Sequence, residues 1–267
     1  IRHQLETILV DHKEEKGYTE DADLSGDDWI IVSDKFKKQI KEQLGEEFPD
    51  DAYAQLWGGV TAVFKSWNGK RAISYRKIEN IPEEWGTAVN VQAMVFGNTG
   101  KGSATGVAFT RNPATGENIF YGEWLQNAQG EDVVAGLRTP NPLNESTKTD
   151  DNQDALSLES FLPQVYNDLN AIRIKLEKHY ADMQDIEFTI EEGRLWMLQT
   201  RTGKRNGPAA IKMAVDMFHE KLIDKERAVL RVSPDQIDEL LHPMVDPEEE
   251  TRGELLAKGL PAGPGGA

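Results

Sequence analysis

Four polar side chains carry the strongest chemical signal in this chain: Asp185, Glu187, Gln199 and Arg201. Asp185 and Glu187 belong to an alternating run, DIEFTI at 185–190, and Gln199 and Arg201 to a returning run, RLWMLQTR at 194–201. The pair reads as a β-hairpin. A three-residue loop, Glu191-Glu192-Gly193 with Gly193 in the left-handed last position, sets Asp185 opposite Gln199 and Glu187 opposite Met197. In that register all four polar groups share one face, whereas a two-residue loop would flip one strand and send Gln199 and Arg201 to the other side. Oxygen ligands suit Mg²⁺, which is held by one or two carboxylates while phosphate oxygens complete its shell. A neighbouring Arg grips phosphate in bidentate fashion, so ion and guanidinium together offset the charge of a nucleoside triphosphate. A solvated sheet face with a surface ion pair is the competing reading of the same four residues.

A basic cluster follows at once, with Arg201, Lys204 and Arg205 around Gly203 and Gly207. It is a local reversal, since the 267 residues carry 46 Asp plus Glu against 30 Lys plus Arg, a net charge of −16. Such acidity disfavours nucleic acid backbones and anionic membrane surfaces as partners. Cysteine is absent, which excludes disulfides, thiolate metal sites and Cys nucleophiles. Another Arg, Arg111, sits in the turn TRNPATG at 110–116. The run GNTGKGS at 97–103 lacks the spacing of a phosphate-binding P-loop and reads as a connection between strands.

These residues need a sheet and helices to hold them. Residues 1–58 read as helical, with Phe36, Ile40, Leu44 and Phe48 at intervals of four and Ser25 or Asp27 as a cap. This segment holds fifteen acidic and seven basic residues and reads as a small solvated bundle. At Gly58-Gly59 the period changes, and strands are expected at 60–65, 72–76, 88–96, 106–110 and 118–123. The polar stretch 139–157 reads as a mobile surface excursion. A helix is expected next, with Leu162, Val165, Leu169, Ile172, Leu176, Tyr180 and Met183 as one apolar stripe, Ser160 as cap and Pro163 in the first turn. Residues 208–241 read as two helices, one with Ala210, Ala214, Met217 and Phe218 on a face. The fold class is therefore α+β, a mixed or antiparallel sheet with helices plus a helical subdomain. No apolar run reaches eighteen residues and the N-terminus does not read as a signal peptide, so a cytoplasmic location is expected. Both termini read as cut from a longer polypeptide.

Several stretches together resemble the pyruvate, phosphate dikinase family: WGTAVNVQAMVFGN at 85–98, GVAFTRNPATG at 106–116, NAQGEDVVAG at 127–136 with its continuation to Pro140, and LQTR at 198–201. The resemblance implies part of an ATP-grasp nucleotide-binding region. It divides the chain into a helical subdomain at 1–58, a C-terminal ATP-grasp subdomain at 59–207, a helical connector at 208–242 and a linker at 243–267. It implies a parent reaction that turns ATP, phosphate and pyruvate into AMP, pyrophosphate and phosphoenolpyruvate through a phosphohistidine on another domain. By the same resemblance Glu187 and Gln199 face Mg²⁺, and Asp185 and Arg201 hold the polyphosphate. Arg111 lies near the phosphates, Gln92 and Met94 line the adenine and ribose pocket, and Glu123 and Glu131 lie near the nucleotide. A core-strand role for Gln92 and Met94 stays open. The family's other nucleotide-clamping subdomain is not among these residues and none of His3, His12, His179, His219 and His242 has the context of a phosphohistidine, so this chain by itself is expected to be inactive. The resemblance places the contacts of a homodimeric parent in other domains, so the chain is expected to be monomeric. A phosphoenolpyruvate synthase-like enzyme and a non-catalytic nucleotide-binding module are the alternatives.

Overall fold

A computed structural model describes residues 1–19, 21–134 and 138–241; the expected linker at 243–267 lies outside them. The chain divides into two compact units, 1–92 and 93–267.

The first unit is helical: α1 (Arg2–Lys16), α2 (Gly26–Leu44), α3 (Ala52–Ser66) and α4 (Lys70–Ile78). Ser25 starts α2 through a capping box, its hydroxyl accepting from the Asp28 amide while the Asp28 carboxylate accepts from the Ser25 amide (3.0 Å). The other Asp28 oxygen meets His12 Nε2 of α1 at 3.1 Å, in a buried contact that pins α1 to α2. The strands expected at 60–65 and 72–76 are α3 and α4 instead. Leu56, Val60, Val63 and Trp67 are spaced 4, 3 and 4 apart, so the same apolar residues also satisfy the helical period, and Asp51 caps the helix on the Ala54 amide at 2.7 Å.

The Ser25 bonds foremost, then His12 and Lys16, hold the Asp28 carboxyl well below the ordinary carboxylate range. A carboxyl lowered in the folded state adds stability that is present above its unfolded value, about pH 4, and is lost as pH falls toward the folded one. Helicity and melting temperature, followed by circular dichroism from pH 6 to pH 2, are expected to hold until about pH 4 and then fall. Ser25→Ala is expected to cost about 0.5–2 kcal/mol at neutral pH and to flatten the acid limb. An acid limb unchanged by that substitution would contradict the assignment.

The second unit is a five-stranded antiparallel sheet in the order β3-β2-β1-β4-β5, built from β1 (Ala104–Phe109), β2 (Tyr121–Gln126), β3 (Asn141–Pro142), β4 (Gln184–Glu191) and β5 (Arg194–Thr202). Its helices are α5 (Gly130–Val134), α6 (Leu158–Phe161), α7 (Pro163–Tyr180), α8 (Gly207–His219), α9 (Lys225–Leu230) and α10 (Pro234–Glu239). One sheet face, with Ala104, Ala108, Trp124, Ile186, Phe188 and Ile190, packs on Leu158, Val165 and Leu169. Each fully buried large side chain there contributes about 1.5–3 kcal/mol. Gly106 is required, because a Cβ on it would stand 2.5 Å from the Phe188 ring.

Four expectations are corrected. Residues 88–96 form no strand. Ser160 does not cap the long helix; Ser157 caps α6, and α7 starts at Pro163. The α7 stripe is buried at Val165 and Leu169 but leaves Tyr180 exposed, and Met183 packs with Met213, Met217 and Ile223 in a second cluster. The polar stretch is bonded to the fold: Asn144 Nδ2 donates to the Phe120 carbonyl (2.6 Å), and Glu145 accepts from Ser160 (2.7 Å), Ser157 and Lys148. Those bonds, Lys148 foremost, hold the Glu145 carboxyl down at about 2. Among the described residues no helix is long and apolar enough to cross a membrane.

Candidate nucleotide-phosphate site

The sheet face away from α7 carries the polar residues. Residues paired across antiparallel strands project to the same side. One cross-strand row reads Glu123, Val107, Glu187, Gln199, and the next reads Tyr121, Phe109, Asp185, Arg201. Arg201 Nε donates to Asp185 Oδ2 at 2.7 Å; the Asp185 side chain is 10% exposed and that of Arg201 61%.

The register arises differently from expectation. Glu191 pairs with Arg194, so the turn has two residues, Glu192 (φ 49°) and Gly193 (φ 82°), both left-handed. By itself that turn would send Gln199 and Arg201 to the core face. A bulge between Glu187 and Phe188 intervenes: Phe188 pairs with Met197, yet Glu187 pairs with Gln199, leaving Leu198 as the extra residue. The opposed pairs are therefore Asp185 with Arg201 and Glu187 with Gln199, and all four groups share the open face.

Other expected residues are placed as follows. Glu123 joins the Glu187 row, and desolvation lifts its carboxyl above the ordinary value. Burial foremost, with the Glu123 charge second, raises the Tyr121 hydroxyl in the same way. Tyr121 was not foreseen, and its signal was its position two residues before Glu123 on one strand. Glu131 falls in α5, which packs on β1 and β2, and its side chain lies outside the described residues. Gln92 is exposed in the first unit. Met94 is exposed in the second, just before Phe96, whose amide donates to Glu191 Oε1 at 3.0 Å.

Arg111 is corrected. Its guanidinium is fully buried, donating to Glu177 of α7 through Nε (3.1 Å) and Nη2 (2.8 Å) and to Glu220, just past α8. A fully enclosed guanidinium held on two carboxylates does not present itself to a phosphate. Arg205 of the basic cluster is likewise engaged, on Asp182 (2.7 Å) together with Arg231.

Among the described residues no group of three or more His, Cys, Asp or Glu side chains could hold a metal ion. Glu187 and Gln199, paired directly across β4 and β5, offer one carboxylate and one amide oxygen, while Glu123 stands two strands away from Glu187 beyond Val107. That oxygen-only set fits Mg²⁺, whose remaining positions water and phosphate fill.

The sequence matches the family described as "Pyruvate phosphate dikinase, AMP/ATP-binding domain" over residues 4–158 and 142–222. It is 54% identical over 268 residues to pyruvate, phosphate dikinase of Rhizobium meliloti (strain 1021), covering 100% of this chain and 30% of that protein. It is 51% identical over 267 residues to the Clostridium symbiosum dikinase, covering 100% of this chain and 29% of the relative. To the chloroplastic dikinase 1 of Arabidopsis thaliana it is 49% identical over 264 residues, covering 99% and 26%. The chain thus spans under a third of the length of these relatives. With a family match running from residue 4 to residue 222, the chain belongs to the pyruvate phosphate dikinase AMP/ATP-binding domain family.

Proposed function

We propose that the second unit supplies the metal- and polyphosphate-holding side of an ATP-grasp nucleotide site in an enzyme that makes phosphoenolpyruvate from ATP, phosphate and pyruvate. The observation that carries this reading is the two adjacent cross-strand pairs on one open face, Glu187–Gln199 and Asp185–Arg201, in a chain of an AMP/ATP-binding family. Glu187 and Gln199 would hold Mg²⁺, which when bound neutralises polyphosphate charge. Arg201 offers a planar donor fork to phosphate oxygens, and Asp185 holds that fork in place. None of these groups is a covalent nucleophile; they position the phosphates and stabilise developing charge for in-line transfer. The acceptor is a histidine on another domain of the parent, and pyruvate is bound on a third.

Calorimetric titration of the chain with ATP, with and without Mg²⁺, tests this. Wild type is expected to bind in a Mg²⁺-dependent manner. Glu187→Ala is expected to lose that dependence and at least about tenfold in affinity, the worth of one charge-assisted contact. Metal-independent binding, or a Glu187→Ala variant that binds as wild type does, would overturn the assignment.

A further inference from the structure

The turn TRNPATG was singled out for its arginine, yet that arginine does not reach the open face. Thr110 follows β1 directly and is fully buried opposite Gln184, the first residue of β4. Its amide donates to the Gln184 carbonyl at 2.9 Å. The return bond is unusual, because the Gln184 amide donates to the Thr110 hydroxyl (3.0 Å) while the Thr110 carbonyl accepts from Arg173 Nε (2.8 Å). The same hydroxyl donates to Glu177 Oε2 at 2.8 Å. Glu177 is fixed in turn by Arg111, and Arg111 by Glu220. A continuous polar chain thus runs from α8 and α7 to the backbone of β4, one residue before Asp185.

We propose that Thr110 and Arg111 are positioning residues for the polyphosphate end of the site: the Thr110 hydroxyl, oriented by the Glu177–Arg111 pair, fixes the start of β4 and so holds the Asp185 carboxylate against Arg201. This rests on the reading of the open face given above. The hydroxyl accepts one hydrogen bond and donates another, and valine, of nearly the same shape, does neither.

Thr110→Val, Thr110→Ser and Arg111→Lys in the whole chain test the proposal with two readouts. The first needs no ligand. Exchange of the Gln184 amide is expected to quicken at least about tenfold in Thr110→Val, the worth of one buried hydrogen bond, while the β4 amides from Ile186 onward hold. It is expected to quicken less in Arg111→Lys, which lacks the fork, and to stay as in wild type in Thr110→Ser. The second is affinity for Mg²⁺-ATP against AMP. Thr110→Val is expected to lose about tenfold for ATP and under about twofold for AMP, which lacks the phosphates that Asp185 and Arg201 serve. Unchanged Gln184 exchange in Thr110→Val overturns the proposal. Equal losses for the two nucleotides also overturn it, since they mark a merely structural residue. A wild-type chain that binds neither nucleotide sinks the reading of the open face alone, and the exchange readout still decides whether the hydroxyl sets the start of β4.

Discussion

Arg111→Ala is expected to lower the stability of the sheet unit by about 3–5 kcal/mol, the range for breaking a buried ion pair from one side. Burial works against the guanidinium charge, but the bonds to Glu177 and Glu220 outweigh it, so the group is held more firmly protonated than a free arginine. Removing it strands Glu177, a carboxylate on the buried side of α7, and leaves it the Thr110 hydroxyl as a donor. The measurement is urea unfolding followed by exchange of β1 and β4 amides. Replacing both partners with apolar residues of similar size, Arg111→Met with Glu177→Met, is expected to recover more than half of the loss, because no charge is then left buried. A loss under about 1 kcal/mol in Arg111→Ala would put the pair among surface ion pairs and refute its structural role.

Phe188→Ala is expected to cost a similar amount, about 3–5 kcal/mol, by leaving a cavity in the fully buried core between sheet and α7. Its ring occupies part of the space a side chain at position 106 would need, and the Glu123 carbonyl oxygen, 2.6 Å from a Cβ there, takes the rest. Gly106→Ala is therefore destabilising in the wild-type core, and the double variant Gly106→Ala with Phe188→Ala is expected to lose less than the sum of the two. That non-additivity is the signature of residues sharing one space. Strict additivity in the unfolding free energies would show that ring and glycine do not compete.

What the sequence made legible follows from period and from turn chemistry. The alternation at 185–190 and 194–201 specified β4 and β5 because each strand has one face in the core and one outside. The turn length was misread because Glu192 takes a left-handed backbone that nothing in a glutamate announces. The shared face of the four polar groups survived that error because Leu198 drops out of the ladder between the Phe188–Met197 and Glu187–Gln199 pairs. The stretches 60–65 and 72–76 read as strands because apolar residues at alternate positions, such as Val60, Ala62 and Phe64, also fall on helical positions. The run at 88–96 shows that β-propensity measures how well residues suit a pleated, half-buried surface, and it does not supply that surface. Arg111 was misplaced for a different reason: an arginine beside a turn looks the same in sequence whether its partners are phosphates or the distant Glu177 and Glu220.

The extra residue at Leu198 works like a frame correction in a reading frame. On the turn side of it the two strands run in one phase, and on the mouth side, where Asp185 meets Arg201, in the other. Changes at the tip that add or remove residues in even numbers leave the outward-facing letters of the hairpin unaltered. A single deletion at Leu198 rewrites those of β5 at the mouth, turning Gln199 and Arg201 to the face of Ile186 and bringing Thr200 outward, while Asp185 and Glu187 keep theirs. The hairpin tip is thereby free to drift in length by pairs, while the chemistry at its mouth is guarded by one aliphatic residue that stands outside the ladder.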